Sequence, residues 1–310
     1  MGVKAAQINK FGDPDVIEIF DIPKPKVSNG KVLIKVYASS INPVDIKIIE
    51  GAFSNVKFPF TLGSDVAGVI TEIGEEVENF IVGNKVYGSA IALAGATGAF
   101  AEFALVPAGM VARMPRNLDF NQAASVVLTG TSSVQAFLEH FKLKADQKIL
   151  IHGGAGGIGT IAIQIAKHMG LYVATTATGE GIDYVKKLGA DEIIDYRNQD
   201  FEKVLSDCDA VFDTVGGQTY EKCFKVLREN GIIVSMLMPV DQKLTEQYKV
   251  TAVSQFTKVN REHLDMLTKF IEDKVVKPHI DKVYLLENMK EAFKEKLMGD
   301  VKGKIVIEIF

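Results

Sequence analysis

Tryptophan is missing from the chain altogether, and cysteine occurs only twice, at Cys208 and Cys223. With no CxxC pair and no histidine cluster beside them, these two exclude a disulfide framework and a cysteine-based metal site, and they fit a reducing compartment. Histidine is scarce too. His152 reads as a packing or capping residue, while His140, His168, His263 and His279 are scattered over apparent helix surfaces and segment ends. There is no basic block: 35 Lys and Arg stand against 39 Asp and Glu, a net charge of −4. That balance argues against nucleic acid or an anionic membrane surface as a partner. Long hydrophobic runs are also lacking. The weakly charged stretch GSAIALAGATGAFAEFALV (88–106) is rich in Gly and Ala, carries Glu102 and ends at Pro107, so it reads as strands and turns. MGVKAAQINKFG at the start has no apolar signal-peptide core, and Ala6 breaks the myristoylation pattern. The expected location is the cytoplasm.

What is present is an ordinary globular composition, 47% hydrophobic and 24% charged, on 310 residues, a length that suggests two domains. Short β-branched and aromatic runs fill the first part: VKAAQI (3–8), VIEIF (16–20), VLIKVYA (32–38), DVAGVITEIG (65–74), NKVYGSA (84–90) and FAEFALVP (100–107). Their punctuation by Gly, Pro and Asn suggests a small barrel or sandwich. The texture changes near residue 115. NQAASVVLTGTSSVQAFLEHF (121–141) has helical spacing with Asn121 as a cap, and from KILIHG onward strands and helices alternate, the mark of a doubly wound parallel sheet. REHLDMLTKFIEDK and NMKEAFKEKL read as amphipathic helices before a last strand, GKIVIEIF, which could return to the N-terminal β domain. The expected fold is α/β: a β-rich domain over 1–120 and 257–310, and a dinucleotide-binding domain over 121–256.

The strongest motif is HGGAGGIG (152–159), in which Gly154, Gly156 and Gly159 frame Ala155, Gly157 and Ile158 between an apolar strand and a helix. Glycines permit a tight turn and close backbone approach, and the helix N-terminus offers free N–H groups to a pyrophosphate. At the tip of the next strand, YVATTATGEG offers Thr175, Thr176 and Thr178 and no acid, which favours a 2′-phosphate and hence NADPH over NADH. Glu180, slightly further on, could instead bond a ribose or simply be solvated. A second polar stretch, SSINPVDIK (39–47), sets an amide (Asn42), a carboxylate (Asp45) and an amine (Lys47) beside a proline.

Taken together, INPVDIK, FPFTLGSDVAGVI, VGNKVYG, TGTSSVQAF, HGGAGGIGT, LGADEIIDY, VFDTVGG and the closing GKIVI resemble the zinc-free quinone oxidoreductase and enone (alkenal) reductase branch of the medium-chain dehydrogenase/reductase superfamily. The resemblance implies a GroES-like catalytic domain, a Rossmann cofactor domain, an active cleft between them, and commonly a homodimer joined at an edge strand such as TAVSQF (251–256). It implies that Asn42 and Thr131 approach the nicotinamide end of the cofactor. Gly156, Gly157 and Ile158 would hold the pyrophosphate, Thr178 and Tyr196 would flank the 2′-phosphate, and Val215, Gly216, Leu237, Met238 and Phe256 would line the rest of the cleft. Zinc alcohol dehydrogenases carry Cys, a His-Glu pair and a further Cys where this chain has Asn42, Ser64-Asp65 and about Val127, so no metal is expected. Two departures stand out. Gly181 takes the place of a lysine that some quinone reductases use at the 2′-phosphate, with Arg197 nearby, and Asn84 interrupts the usual VGDxV.

Without a Lewis acid, conjugated acceptors are the easier substrates, because hydride addition to an enone or quinone spreads charge to an oxygen that ordinary donors can stabilise. Lys47 is the local candidate for that donor, against a salt bridge to Asp45 or Asp65, or a solvated position. The expected partner is therefore a small quinone or enone. A catalytically weak nicotinamide-binding redox sensor or partner-binding protein of the same fold is the alternative.

Overall fold

The computed structural model describes residues 2–299 and 301–310. The chain divides into two compact units: one holds residues up to Leu128 together with Val259–Glu272 and Pro278–Phe310, and the other holds Thr129–Lys258 and Asp273–Lys277. The change of unit falls inside a helix, Val127–Gln135.

The first unit is built on antiparallel β-structure. A three-stranded sheet pairs Gly2–Ile8 with Glu18–Pro23 and Phe60–Thr61. A seven-stranded sheet has Lys31–Ser40 at its heart, between Lys304–Glu308 and Asp65–Ile73, and Phe103–Pro107 also pairs with it. The central strand alternates poorly because both of its faces are covered: Val32, Leu33, Ile34 and Val36 are all fully buried. The last strand does return here, running antiparallel to residues 38–40. It brings with it Ile280–Leu285, a strand the sequence reading missed because its outward residues are polar or half-exposed. VIEIF is displaced as well: Pro14–Val16 forms a single helical turn capped by Asp13, and the strand starts only at Glu18.

In the second unit, six parallel strands form one sheet: Lys148–His152, Tyr172–Ala177, Glu192–Asp195, Cys208–Asp213, Leu227–Ser235 and Thr251–Ser254. Counted in chain order they lie 3-2-1-4-5-6, the doubly wound Rossmann arrangement, whose ligands sit beyond the carboxyl ends of the strands where the order reverses. The near-continuous apolar strands KILIH and DAVFD are buried on both faces, as a parallel sheet covered by helices requires. The expected single helix over 121–141 is instead three pieces: Phe120–Ser125, Val127–Gln135 and a wide turn over Ala136–His140. Asp119, not Asn121, caps the first, exchanging bonds with Gln122 in a capping box. Gln242–Tyr248 is a further helix that the sequence reading left unassigned.

Candidate active site

Two sets of residues carry chemistry, one in each unit. In the first unit, Asn42 begins the helix Pro43–Ile49. Its N–H donates to Asp45 Oδ2 at 2.8 Å, and Pro43 at the first helical position needs no hydrogen-bond partner. Asp45 Oδ1 accepts from Ser64 Oγ at 3.1 Å. Gly63, at φ +99°, brings Ser64 and Asp65 into place; a Cβ there would lie 2.5 Å from the Phe100 nitrogen, so only glycine fits. Asp65 then collects donors. Ser40 Oγ lies 2.5 Å and Asn42 Nδ2 2.7 Å from its Oδ2, and the Leu128 N–H caps onto its Oδ1 at 3.1 Å.

The centre of this cluster is Lys304, to which the closing GKIVI motif gave no role. Its ammonium is buried, donates to Asn42 Oδ1 and to the Ile41 carbonyl at 2.8 Å, and lies 3.4 Å from Asp65 Oδ2. Burial pushes its pKa down, and Asp65 and Asp45 push it back up. Burial likewise raises the Asp45 carboxyl to about 7 against the bonds from Asn42 and Ser64. The positions compared with zinc ligands therefore present the apolar Val127, a hydroxyl spent on Asp45, and an amide and a carboxylate spent on each other and on a buried cation. That donor set does not fit a catalytic zinc, which needs three good ligands and an open position.

Asn42 is wholly buried, with its amide committed to Lys304, Asp65 and, at 3.4 Å, the Ser40 carbonyl. Its observed work is to start the helix that carries Lys47. Lys47 itself is exposed in the last turn of that helix and is paired with neither aspartate. The salt-bridge alternative fails because Lys304 is the cation that Asp65 holds.

In the second unit the glycine loop opens the helix Gly157–His168, whose N-cap, Gly156, supplies no side-chain bond to the first-turn N–H groups. Gly159 packs against the turn: a Cβ there would stand 2.2 Å from the Gly153 carbonyl oxygen. Thr176 and Val215 lie directly against this loop. Thr176 is buried, its Oγ1 accepting from the Gly153 N–H at 3.0 Å and its carbonyl from the Gly154 N–H. Gly216 lies against Leu237 and Met238, and Val215 and Leu237 are about half exposed. Thr131 is buried in its helix, next to Ser132, whose Oγ is 2.7 Å from Thr257 Oγ1; Phe256, between Gln255 and Thr257, is 84% exposed. Free N–H groups, a cradle that side chains would fill, and exposed apolar rims suit a dinucleotide.

Tyr196 is exposed beyond the third strand, beside an acid the sequence reading passed over. Asp195 is held below the usual carboxylate range by the Thr178 hydroxyl, then by the Arg197 N–H and the Asn198 amide. It sits two strands from the glycine loop in sequence, which is why a search confined to the second strand tip missed it. Asp213 was missed as well; with His152, read as a packing or capping residue, and Cys223 it forms a buried cluster of the kind that could hold a metal ion. His263, read as a helix-surface residue, is in fact buried. Cys208 and Cys223 are free and buried, the Cys208 thiol pushed up to about 12 and that of Cys223 well above its usual value by burial.

Residues 28–116 match the family model "Alcohol dehydrogenase GroES-like domain" and residues 188–307 match "Zinc-binding dehydrogenase". The chain is 34% identical to a 2-methylene-furan-3-one reductase of Solanum lycopersicum over 98% of its length and 79% of the relative's. It belongs to the quinone oxidoreductase and enone reductase branch of the medium-chain dehydrogenase/reductase superfamily. Another member of the branch, named NADPH-dependent alkenal/one oxidoreductase, from the chloroplast of Arabidopsis thaliana, is 33% identical over 98% of this chain and 79% of its own. The quinone oxidoreductase structure from Coxiella burnetii shares the fold over the whole of both chains, with a TM-score of 0.92 and 32% identity. Like the family members it matches, the protein is an oxidoreductase, and among the described residues no helix is long and apolar enough to cross a membrane.

Proposed function

We propose that the protein reduces quinones or the conjugated C=C of α,β-unsaturated carbonyls with NADPH, and does so without a catalytic metal. The observation that carries the reading is the buried Lys304 ammonium, bonded to Asn42 and paired with Asp65 where the zinc enzymes place ligands. Bound NADPH supplies the hydride. Gly154, Ala155, Gly156, Gly157 and Ile158 hold the pyrophosphate, Thr178 and Tyr196 the 2′-phosphate, and Thr131, Val215, Gly216, Leu237, Met238 and Phe256 the remainder. Asn42 and Lys47 serve the reacting end: Asn42 fixes the helix start, and the Lys47 ammonium stabilises the oxygen that becomes anionic as hydride reaches the β-carbon. A proton from solvent at the α-carbon then completes the saturated product.

The NADPH preference is supported by the absence of an acid at the second strand tip and by the NADPH-dependent relative. Asp195 works against it. A homodimer is supported by the edge position of Thr251–Ser254 beside the exposed Phe256, and a cytoplasmic location by two free, buried cysteines. The test is cofactor oxidation with a panel of quinones and short enones, NADPH and NADH side by side, on the native protein and on Lys47→Met. NADPH-selective turnover that falls roughly 100-fold with enones in the variant is expected. Tight cofactor binding with no turnover on any acceptor would instead support the redox-sensor alternative.

A further inference from the structure

We propose that His152 and Thr219 form a positioning relay that locks the glycine loop to the loop after the fourth parallel strand, and thereby sets the affinity for the dinucleotide. The proposal rests on reading these two loops as the cofactor cradle.

The direction of every bond in the relay follows from donor accounting. Thr219 Oγ1 lies 2.9 Å from the Gly216 carbonyl, which can only accept, so the single hydroxyl proton of Thr219 is spent there. His152 Nε2 is 2.9 Å from the same Oγ1 and must therefore be the protonated, donating nitrogen. At the other side of the ring, Thr176 Oγ1 already accepts the Gly153 N–H at 3.0 Å. Its own proton is free to point at His152 Nδ1, 2.8 Å away, so Nδ1 is the bare nitrogen. The chain runs without a gap: Gly153 N–H to Thr176, Thr176 O–H to His152, His152 N–H to Thr219, and Thr219 O–H to the Gly216 carbonyl.

Only the neutral Nε2–H tautomer satisfies all four bonds. An imidazolium would place a second donor on Thr176 Oγ1 and leave that hydroxyl proton without its acceptor. Burial, which pushes the pKa of His152 below the usual imidazole range, acts in the same direction. The same accounting removes the metal reading of the His152, Asp213 and Cys223 cluster, because neither ring nitrogen has a lone pair to spare. Asp213 is itself committed: its Oδ1 accepts from the Val215 and Gly216 N–H groups at 3.1 and 2.8 Å, and its Oδ2 from Ser235 Oγ at 2.8 Å.

Both ends of the relay are main-chain groups of loops that the cofactor reading assigns to binding. Neither His152 nor Thr219 needs to touch the ligand; they hold fixed what does. Pre-organisation of this kind appears as affinity, because loops already in place lose less freedom on binding.

Two measurements on the full chain test this. Long-range ¹H–¹⁵N correlation on labelled, ligand-free protein should show a pyrrole-type Nε2 and a pyridine-type Nδ1 for His152 at neutral pH; the reverse tautomer, or an imidazolium, would overturn the relay. Titration with NADPH should show Thr219→Val weakened about tenfold or more, since the variant leaves both bonds of the Thr219 hydroxyl unmade, with Thr219→Ser within about twofold of the native protein. An unchanged NADPH affinity in a folded Thr219→Val protein would overturn the proposal alone. Failure of the native protein to bind NADPH or NADH would overturn the cofactor reading and the proposal with it. The tautomer measurement needs no variant, so it decides the relay even if Thr219→Val fails to fold.

Discussion

Lys304 shows how far a single side chain can act. It meets Asn42 across 262 positions of sequence, and nothing in GKIVI except a lysine at the head of an apolar strand hinted at the meeting. Lys304→Met should destabilise the protein by about 3–5 kcal/mol in urea unfolding, because it leaves Asp65 buried without its cation. A loss below about 1 kcal/mol would mean the ammonium is dispensable. Asp45 yields a pH prediction. Burial lifts its folded pKa to about 7, above the usual carboxylate value of 3.8, so folding favours the protonated form. The associated stability is complete at acid pH below the unfolded pKa and is lost as pH rises through about 7, up to about 4 kcal/mol in all. Asp45→Asn should flatten unfolding free energy against pH across that window; an unchanged slope would assign it to other groups.

At the scale of elements, legibility in the sequence tracked how local the signal was. The glycine loop, its strand and its helix were readable because turn, close approach and helix start lie within a dozen residues, and the structure places them as expected. The helix over 121–141 was misread because its apolar periodicity runs on through a break at Val126, whose N–H turns back to the Ala123 carbonyl. His152 looked like a packing residue because its partners come from the second strand and from the turn after the fourth. Gly159→Val tests the loop as an element: the new side chain meets the Gly153 carbonyl, so cofactor binding should be lost and stability reduced by about 1–3 kcal/mol. Retained NADPH affinity would show that the helix start need not approach the turn so closely. The edge strand Thr251–Ser254 makes a parallel case. Val253→Lys tests the proposed homodimer: the variant should sediment as a monomer where the native protein sediments as a dimer, since charge on an edge blocks strand pairing; an unaltered dimer would place the interface elsewhere, and a monomeric native protein would overturn the homodimer.

For the whole molecule, both units were legible as types, because short punctuated strands and strand–helix alternation are compositional textures that survive errors at single elements. The division near Leu128 was less so, since a helix carries the chain from one unit into the next without a linker. The molecule combines a Rossmann sheet of order 3-2-1-4-5-6 with a GroES-like unit whose polar centre is organised by a lysine. The reaction proposed for it is hydride transfer to a conjugated acceptor without a metal. The direct measurement is NADPH-dependent turnover of a short enone by protein whose metal content has been reduced by chelation and determined per chain. Full turnover with metal far below one equivalent is predicted; activity that vanishes on chelation and returns in proportion to added zinc would contradict it.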